Sequence, residues 1–130
     1  MTAPLMVIDD DDDLRTALDL IMTAQGYQVA AFGDARRALT ALENGTAPFL
    51  ILLDLMMAGM SGWEFRAAQL ENPAIRGIPV VVLTAANTLT DGVHTLAGVE
   101  VIGKPFALDS LMAVVERHAG QAGVSSRHDH

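Results

Sequence analysis

The feature of this sequence that most constrains its fold is a regular alternation of short aliphatic runs with segments of helical character. The five aliphatic runs are LMVI (5–8), YQVAAF (27–32), FLILL (49–53), IPVVVL (78–83) and VEVI (99–102). The third run is continuous rather than alternating, as expected of a strand that is buried on both faces. Strands that alternate with helices form βαβ units with right-handed crossovers. The pattern therefore predicts an α/β fold with a parallel sheet covered by helices on both faces.

The first helical segment follows the first aliphatic run directly. Its apolar residues recur at helical spacing, at Leu14, Leu18, Ile21 and Met22. Within the run of aspartates before it, Asp12 or Asp13 is a plausible N-cap, and Gly26 stands where a C-terminal cap belongs. We therefore predict a helix between the first two strands.

Other start and stop signals place the remaining helices. Asp34 is a predicted N-cap for a helix that runs to about Glu43 and is closed by Asn44 and Gly45. Three further helical segments are expected, at residues 62–71, 87–98 (weakly) and 108–119. We predict one domain over residues 1–120, followed by a small, polar and flexible tail over residues 121–130.

The composition excludes several classes of protein. The chain of 130 residues contains no cysteine, which rules out disulfides, thiol nucleophiles and thiolate metal sites. Its formal net charge of −8 argues against sequence-independent binding to nucleic acid. No apolar run is long enough to cross a membrane, and the start lacks the features of a signal peptide. We therefore expect a soluble, cytoplasmic protein.

Polar side chains follow four of the five predicted strands. The first strand ends in Asp9 and Asp10, the third in Asp54, the fourth in Thr84 and the fifth in Lys104, the only lysine. Ligands of open α/β sheets bind at the carboxyl ends of the strands. An unpaired carboxylate after an apolar strand is costly to bury, so we expect Lys104 and a shared cation to compensate Asp54.

This set of side chains points to phosphoryl chemistry. Clustered carboxylates suit Mg²⁺, which prefers oxygen ligands. A cation, an ammonium group and a hydroxyl together can hold the oxygens of a phosphoryl group while a carboxylate attacks it, which would give an aspartyl phosphate. Each residue alone also has an ordinary interpretation as a helix cap or part of a surface turn. Their joint occurrence at four strand ends favours the functional interpretation.

The stretches MVIDDDDDLR, ILLDLMMAGMSGWEF, VVVLTA and the KPF of GKPFALDSL resemble the receiver domain of bacterial two-component response regulators. The resemblance extends to about Ala119. It implies a flavodoxin-like (βα)5 fold, a five-stranded parallel sheet of order 2-1-3-4-5 with helices on both faces. It also implies phosphotransfer from a sensor histidine kinase or a histidine phosphotransfer protein.

The resemblance further implies a role for each matching residue. Asp54 would be the phosphoacceptor, and Asp10, Asp54 and the main-chain carbonyl of Met56 would ligate Mg²⁺, for which Mn²⁺ can substitute. Asp9 would act through metal-bound water. The phosphoryl oxygens would be held by Thr84 and Lys104. The peptide bond before Pro105 would be cis.

Several positions depart from the family pattern. Ala58 stands where proline is common, and Ser61 stands where aspartate is common. Val101 replaces the Tyr or Phe that commonly moves inward with the threonine during switching. The phosphorylation residues are thus intact, whereas the usual output switch is altered.

The preferred interpretation is a stand-alone receiver that regulates an unidentified downstream protein and catalyses only its own phosphorylation and dephosphorylation. A second interpretation is a degenerate receiver that acts as a phosphorylation-independent docking module. A third is a Mg²⁺-dependent phosphohydrolase, which would need a second aspartate as general acid where this chain has Met56. No contact with nucleic acid or membrane is expected in the preferred interpretation.

Overall fold

The computed structural model describes residues 3–85 and 99–124 of the chain. Strands and helices alternate along these ranges. In chain order they are β1 (Leu5–Ile8), α1 (Asp12–Ala24), β2 (Val29–Phe32), α2 (Ala35–Glu43), β3 (Leu50–Asp54), α3 (Gly62–Glu71), β4 (Val80–Ala85), β5 (Glu100–Lys104) and α4 (Leu108–Ala122). No helix within the described ranges is both long and apolar enough to span a membrane.

All five strands are parallel and lie in the order β2-β1-β3-β4-β5. This confirms the predicted α/β class and the strand order that the resemblance implies. The register places Ile8 of β1 beside Leu53 of β3, and Asp54 beside Leu83 of β4. The residues that follow β1 therefore meet the ends of β3 and β4 at one edge of the sheet.

The sheet separates two hydrophobic cores. One core contains side chains of α1 and α4 against one face, and the other contains side chains of α2 and α3 against the opposite face. All four residues of β1 and the first four of β3 are fully buried. Full burial of a large aliphatic side chain contributes about 1.5–3 kcal/mol, so the central strands form the rigid base of the carboxyl edge.

Some predicted boundaries are wrong. Strands β4 and β5 extend two residues further than expected and include Thr84 and Lys104, because the pairing of the two strands continues past the large aliphatic side chains that marked them in the sequence. Helix α4 ends at Ala122 rather than near Ala119. The residue after its C-cap glycine, Val124, is buried in the core, so ordered structure continues beyond residue 120.

The N-cap of α1 is also different from the expected one. Asp11, not Asp12 or Asp13, is the N-cap, and its carboxylate accepts a hydrogen bond from the Leu14 N–H. The Asp34 cap and the limits of α2 and α3 are confirmed. The helix predicted for residues 87–98 and the end of the predicted tail, residues 125–130, lie outside the described residues.

Candidate functional site

Three carboxylates converge at the carboxyl edge of the sheet. Asp9 and Asp10 follow β1, and Asp54 is the last residue of β3, the strand that lies next to β1 in the sheet. One oxygen from each carboxylate lies within 4.8 Å of an oxygen of the other two. Asp9 is 1 % exposed and Asp54 is 6 % exposed, whereas Asp10 faces solvent. The side chains predicted to form an acidic cluster are thus brought together.

Lys104 lies at the end of β5 and reaches this cluster from the far side of β4. Its Nζ is 2.8 Å from Asp9 Oδ2 and 3.8 Å from Asp54 Oδ1. The sequence predicted Asp54 as the partner of Lys104, but the shorter contact is to Asp9. The single ammonium group therefore neutralises two buried carboxylates only in part, and the cluster keeps a negative charge that a cation can balance.

Asp9 is fixed by contacts with three different elements. Its N–H donates to the carbonyl of Phe32 on β2. Its Oδ1 accepts a hydrogen bond of 2.9 Å from the Asp11 N–H, and its Oδ2 accepts one from Lys104 Nζ. Both carboxylate oxygens are therefore occupied by protein donors, which makes Asp9 a fixed charge beside Asp54.

The environment of Asp54 makes its negative charge costly. Burial raises the pKa of the Asp54 carboxyl from its ordinary 3.8 to about 6, and the neighbouring charge of Asp9 acts in the same direction. Lys104 and a hydrogen bond of 3.4 Å from the Met56 N–H oppose that rise in pKa, and Asp10 adds to it. A group that delivers positive charge to Asp54 would therefore be bound with a gain in free energy.

Thr84 supplies a buried hydroxyl at the same edge. Its side chain is fully buried at the end of β4, beside Asp54 on the neighbouring strand. Among the residues that the structure describes, its Oγ1 has no hydrogen-bond partner. A buried hydroxyl without a partner is uncommon in proteins, and here it leaves a donor for a ligand oxygen.

The donor set fits a hard divalent cation. Carboxylate and main-chain oxygens are the ligands that Mg²⁺ prefers, and solvent-facing Asp10 leaves room for the waters that Mg²⁺ retains. Three carboxylates with one ammonium group close to them also keep a net negative charge, which attracts a cation. The residues present therefore suit Mg²⁺, or Mn²⁺ in its place.

The loop between β3 and α3 returns closely to the strand end. A Cβ on Gly62 would lie 2.4 Å from the main-chain oxygen of Asp54, so only glycine fits there. The Gly62 N–H donates to the carbonyl of Leu55, and Ser61 forms a capping box with Glu64. These contacts fix the chain on both sides of the loop.

Residues within this loop face solvent and the acidic cluster. Met56 is 62 % exposed beside Asp54. The Ala58 N–H, which a proline at this position would lack, donates to Asp10 Oδ2 at 3.3 Å. The departure from the family pattern at Ala58 thus adds a contact between the loop and a carboxylate of the cluster.

Two other predicted positions have clear places in the fold. Val101 is partly buried on β5, pairs with Val82, and packs against the core on the α2 and α3 side. By strand alternation Thr84 projects to the same face as Val82. The Lys104–Pro105 peptide bond is cis.

Sequence reasoning missed several groups that shape the site. The side chain of Arg15 donates to the main-chain carbonyl of Asp9, a contact that no motif indicated. The Gly62 approach and the Ala58 hydrogen bond were also missed. Two signals were available: Gly62, because glycine permits a close backbone approach, and Ala58, because it has an N–H where the family commonly has proline.

The sequence is similar to those of known proteins that share this fold. The family model described as "Response regulator receiver domain" matches residues 5–116. The DNA-binding response regulator MtrA of Mycolicibacterium paratuberculosis is 36% identical over 121 residues, which cover 88% of this chain and 50% of that protein. The chain thus spans about half the length of this curated relative.

Solved structures with the same fold include two receiver proteins. The signal receiver domain of a signal transduction histidine kinase from Syntrophus aciditrophicus has a TM-score of 0.82 and 27% identity, with 96% of each chain covered. TrrA of Thermotoga maritima, solved in complex with Mg²⁺ and BeF, has a TM-score of 0.76 and 24% identity and covers 89% of this chain and 98% of that chain. At this level of identity, the similarity to TrrA shows only that the two chains share a fold.

Proposed function

The chain belongs to the family of response regulator receiver domains, and from that membership we propose that Asp54 accepts a phosphoryl group. The donor is a phosphohistidine on a sensor histidine kinase or a histidine phosphotransfer protein. The observation that carries this proposal is the juxtaposition of Asp54 with Lys104, two further carboxylates and the Thr84 hydroxyl, which has no partner within residues 3–85 and 99–124. Such a set is suited to holding and attacking a phosphoryl group.

In the transfer step a carboxylate oxygen of Asp54 attacks phosphorus, the new O–P bond forms and the N–P bond of phosphohistidine breaks. The bonding electrons return to the leaving imidazole nitrogen. The attacking carboxylate must be ionised, and with a pKa of about 6 it is largely ionised at neutral pH. Burial also strips water from this oxygen, which strengthens its interaction with groups fixed around it.

Mg²⁺ would be held by Asp10, Asp54 and the main-chain carbonyl of Met56, with Asp9 contributing through bound water. When bound, it would supply positive charge to the oxygens of the phosphoryl group. Thr84 Oγ1 would donate a hydrogen bond to one phosphoryl oxygen, since it has no partner among the described residues. Lys104 Nζ, 3.8 Å from Asp54 Oδ1, would pair with another.

The phosphorylated domain would then regulate a downstream protein by contact. Movement of Thr84 toward a phosphoryl oxygen would affect the face of the sheet that it shares with Val82 and Val101. Val101 is β-branched and has few rotamers to exchange, so we propose that its contribution to switching is small. The output surface would then depend on the loops around the site more than on β5.

The nature of the output is a separate proposal. The relative MtrA is named as a DNA-binding response regulator, and this chain matches half of its length. The prediction that this chain itself contacts no nucleic acid rests on its net charge of −8 and stays a prediction. We propose that its direct contacts are with proteins: the phosphodonor and one downstream partner.

Intact-mass analysis tests the proposed chemistry. The protein is incubated with a small phosphodonor such as acetyl phosphate, with and without Mg²⁺. We expect the mass to rise by one phosphate, about 80 Da, only with Mg²⁺ and not in Asp54→Asn. A wild-type protein that stays unmodified with Mg²⁺ would favour the docking-module interpretation, and a modified Asp54→Asn would refute the assignment of the acceptor.

A further inference from the structure

Arg15, on the first turns of α1, points its guanidinium back toward the acidic cluster. Its side chain is about one-fifth exposed. One nitrogen, Nη1, donates a hydrogen bond of 2.8 Å to the main-chain carbonyl of Asp9, and the other, Nη2, contacts the carboxylate of Asp12. Arg15 makes no hydrogen bond to the three clustered carboxylates, so its one direct contact with the site is the main chain of Asp9.

The contact with Asp9 completes the fixation of that residue. Its N–H, Oδ1 and Oδ2 are already bound by Phe32, Asp11 and Lys104. The Arg15 contact satisfies the remaining polar group, the carbonyl that leads directly into Asp10. This peptide unit sets the direction in which the chain leaves β1 and therefore the position of the Asp10 carboxylate.

The contact with Asp12 cannot explain the burial of Arg15. The Asp12 side chain is 83 % exposed, and exposed ion pairs contribute about 0–1 kcal/mol. By contrast, a charged donor to a buried main-chain carbonyl makes one of the stronger hydrogen bonds in proteins. The Asp9 carbonyl is therefore the partner that orders the guanidinium.

Gly33 provides the space for this arrangement. The glycine follows β2, and a Cβ built on it would lie 2.8 Å from Arg15 Nη1 and 3.1 Å from Arg15 Cζ. The clash would be with the end of a flexible side chain and not with the backbone. An alanine at position 33 would therefore displace the guanidinium while the surrounding main chain stays in place.

We propose that Arg15 is a positioning residue of the cation site, and that Gly33 gives it room to act. By holding the Asp9 carbonyl, Arg15 fixes the turn from which Asp10 reaches the cation. This inference rests on the proposed function, because it concerns the affinity of the site for Mg²⁺. Groups that hold metal ligands in place typically change affinity 10–100-fold when they are removed.

Mg²⁺ titration of the whole chain tests this inference. Binding is followed by the fluorescence of Trp63, the only tryptophan, and by the rise in melting temperature of the metal-free protein. The variants are Arg15→Met, Arg15→Lys, Gly33→Ala and the double variant Arg15→Met/Gly33→Ala. Two controls, Asp12→Asn and Arg36→Met, remove the exposed partner and a positive charge elsewhere.

We expect Arg15→Met to weaken Mg²⁺ binding by about 10-fold and Gly33→Ala to weaken it in the same direction. The double variant should bind Mg²⁺ no more weakly than Arg15→Met does, since both substitutions remove the same contact, the one between Arg15 and the Asp9 carbonyl. Arg15→Lys should restore part of the affinity, because lysine can still donate to one carbonyl. Both controls should bind as the wild-type protein does.

Two results would overturn the inference while leaving the proposed function intact. One is an Arg15→Met protein that binds Mg²⁺ with wild-type affinity and has only a lower melting temperature, which would show that the role of Arg15 is purely structural. The other is Mg²⁺ binding that is tighter in Arg15→Met than in the wild-type protein, as the loss of a nearby positive charge alone would make it, which would show that the Asp9 contact does not position the site. A wild-type protein that binds no Mg²⁺ would overturn the proposed function and the inference together.

Discussion

Replacing Asp54 by asparagine should stabilise the metal-free protein, although it removes the proposed phosphoacceptor. The carboxylate is buried, lies beside Asp9 and Asp10, and receives only a 3.8 Å contact from Lys104. Asparagine has nearly the same shape and can keep the hydrogen bond from the Met56 N–H through its amide oxygen. The change therefore removes an unfavourable charge with little change in packing.

The size of the effect follows from the pKa of Asp54. The rise from 3.8 to about 6 means that ionisation destabilises the folded state by about 3 kcal/mol at neutral pH. A buried amide is itself costly to desolvate, so we expect a net gain of roughly 1–3 kcal/mol. For a domain of this size that corresponds to an increase in Tm of about 4–11 °C.

The effect should depend on pH in a defined window. Because the folded-state pKa is above the unfolded-state value, the folded protein binds the proton more tightly. The destabilisation is fully present above pH of about 6, shrinks as the pH falls, and is absent below 3.8. The difference in Tm between Asp54→Asn and wild type should shrink in the same way.

Thermal unfolding followed by circular dichroism, with a chelator present, measures this difference. The control Glu116→Gln removes an exposed carboxylate from the interior of α4 and should change stability by less than about 0.5 kcal/mol. Added Mg²⁺ should raise the Tm of the wild-type protein toward that of Asp54→Asn. An Asp54→Asn protein that is less stable than wild type at neutral pH, without metal, would refute the reasoning about charge at this site.

Three further predictions concern the cation, the loop and the lifetime of the phosphoryl group. Mg²⁺ should raise the wild-type Tm, and raise it less in Asp10→Ala, which already relieves repulsion; an equal rise in both would exclude Asp10 as a ligand. Gly62→Ala should destabilise the fold by about 1–3 kcal/mol in denaturant titrations, because its Cβ would meet main-chain atoms, whereas Gly77→Ala, with open space around it, should not. Met56 cannot orient a water molecule, so Met56→Asn should shorten the phosphoryl lifetime measured by intact mass; an unchanged lifetime would show that water access there is not limiting.

The sequence was sufficient to predict the layout of the fold and the convergence of acidic side chains and Lys104 at one edge of the sheet. Apolar runs of four to six residues marked the strands, and the rule that ligands bind at the carboxyl ends of parallel strands placed Asp9, Asp54 and Lys104 at one edge. The resemblance then supplied the strand order, which the structure confirms. These features depend on local patterns and on general topological rules.

Contacts between elements could not be predicted in this way. Whether Lys104 lies closer to Asp9 or to Asp54 depends on distances that the spacing of residues does not determine. The Arg15 contact depends on the approach of α1 to the end of β2 at Gly33, which follows from tertiary packing. The choice of Asp11 as N-cap within five consecutive aspartates was likewise undetermined, because each has the same capping side chain.

The most direct test of the central claim is to locate the modified residue. After incubation with acetyl phosphate and Mg²⁺, the protein is treated with borohydride, which reduces an aspartyl phosphate to homoserine, and the peptides are sequenced by mass spectrometry. We predict homoserine at position 54 alone, and no homoserine when Mg²⁺ is replaced by a chelator. Homoserine at Asp9 or Asp10, or an unreduced Asp54 in protein that carries a phosphate, would contradict the assignment of Asp54 as the phosphoacceptor.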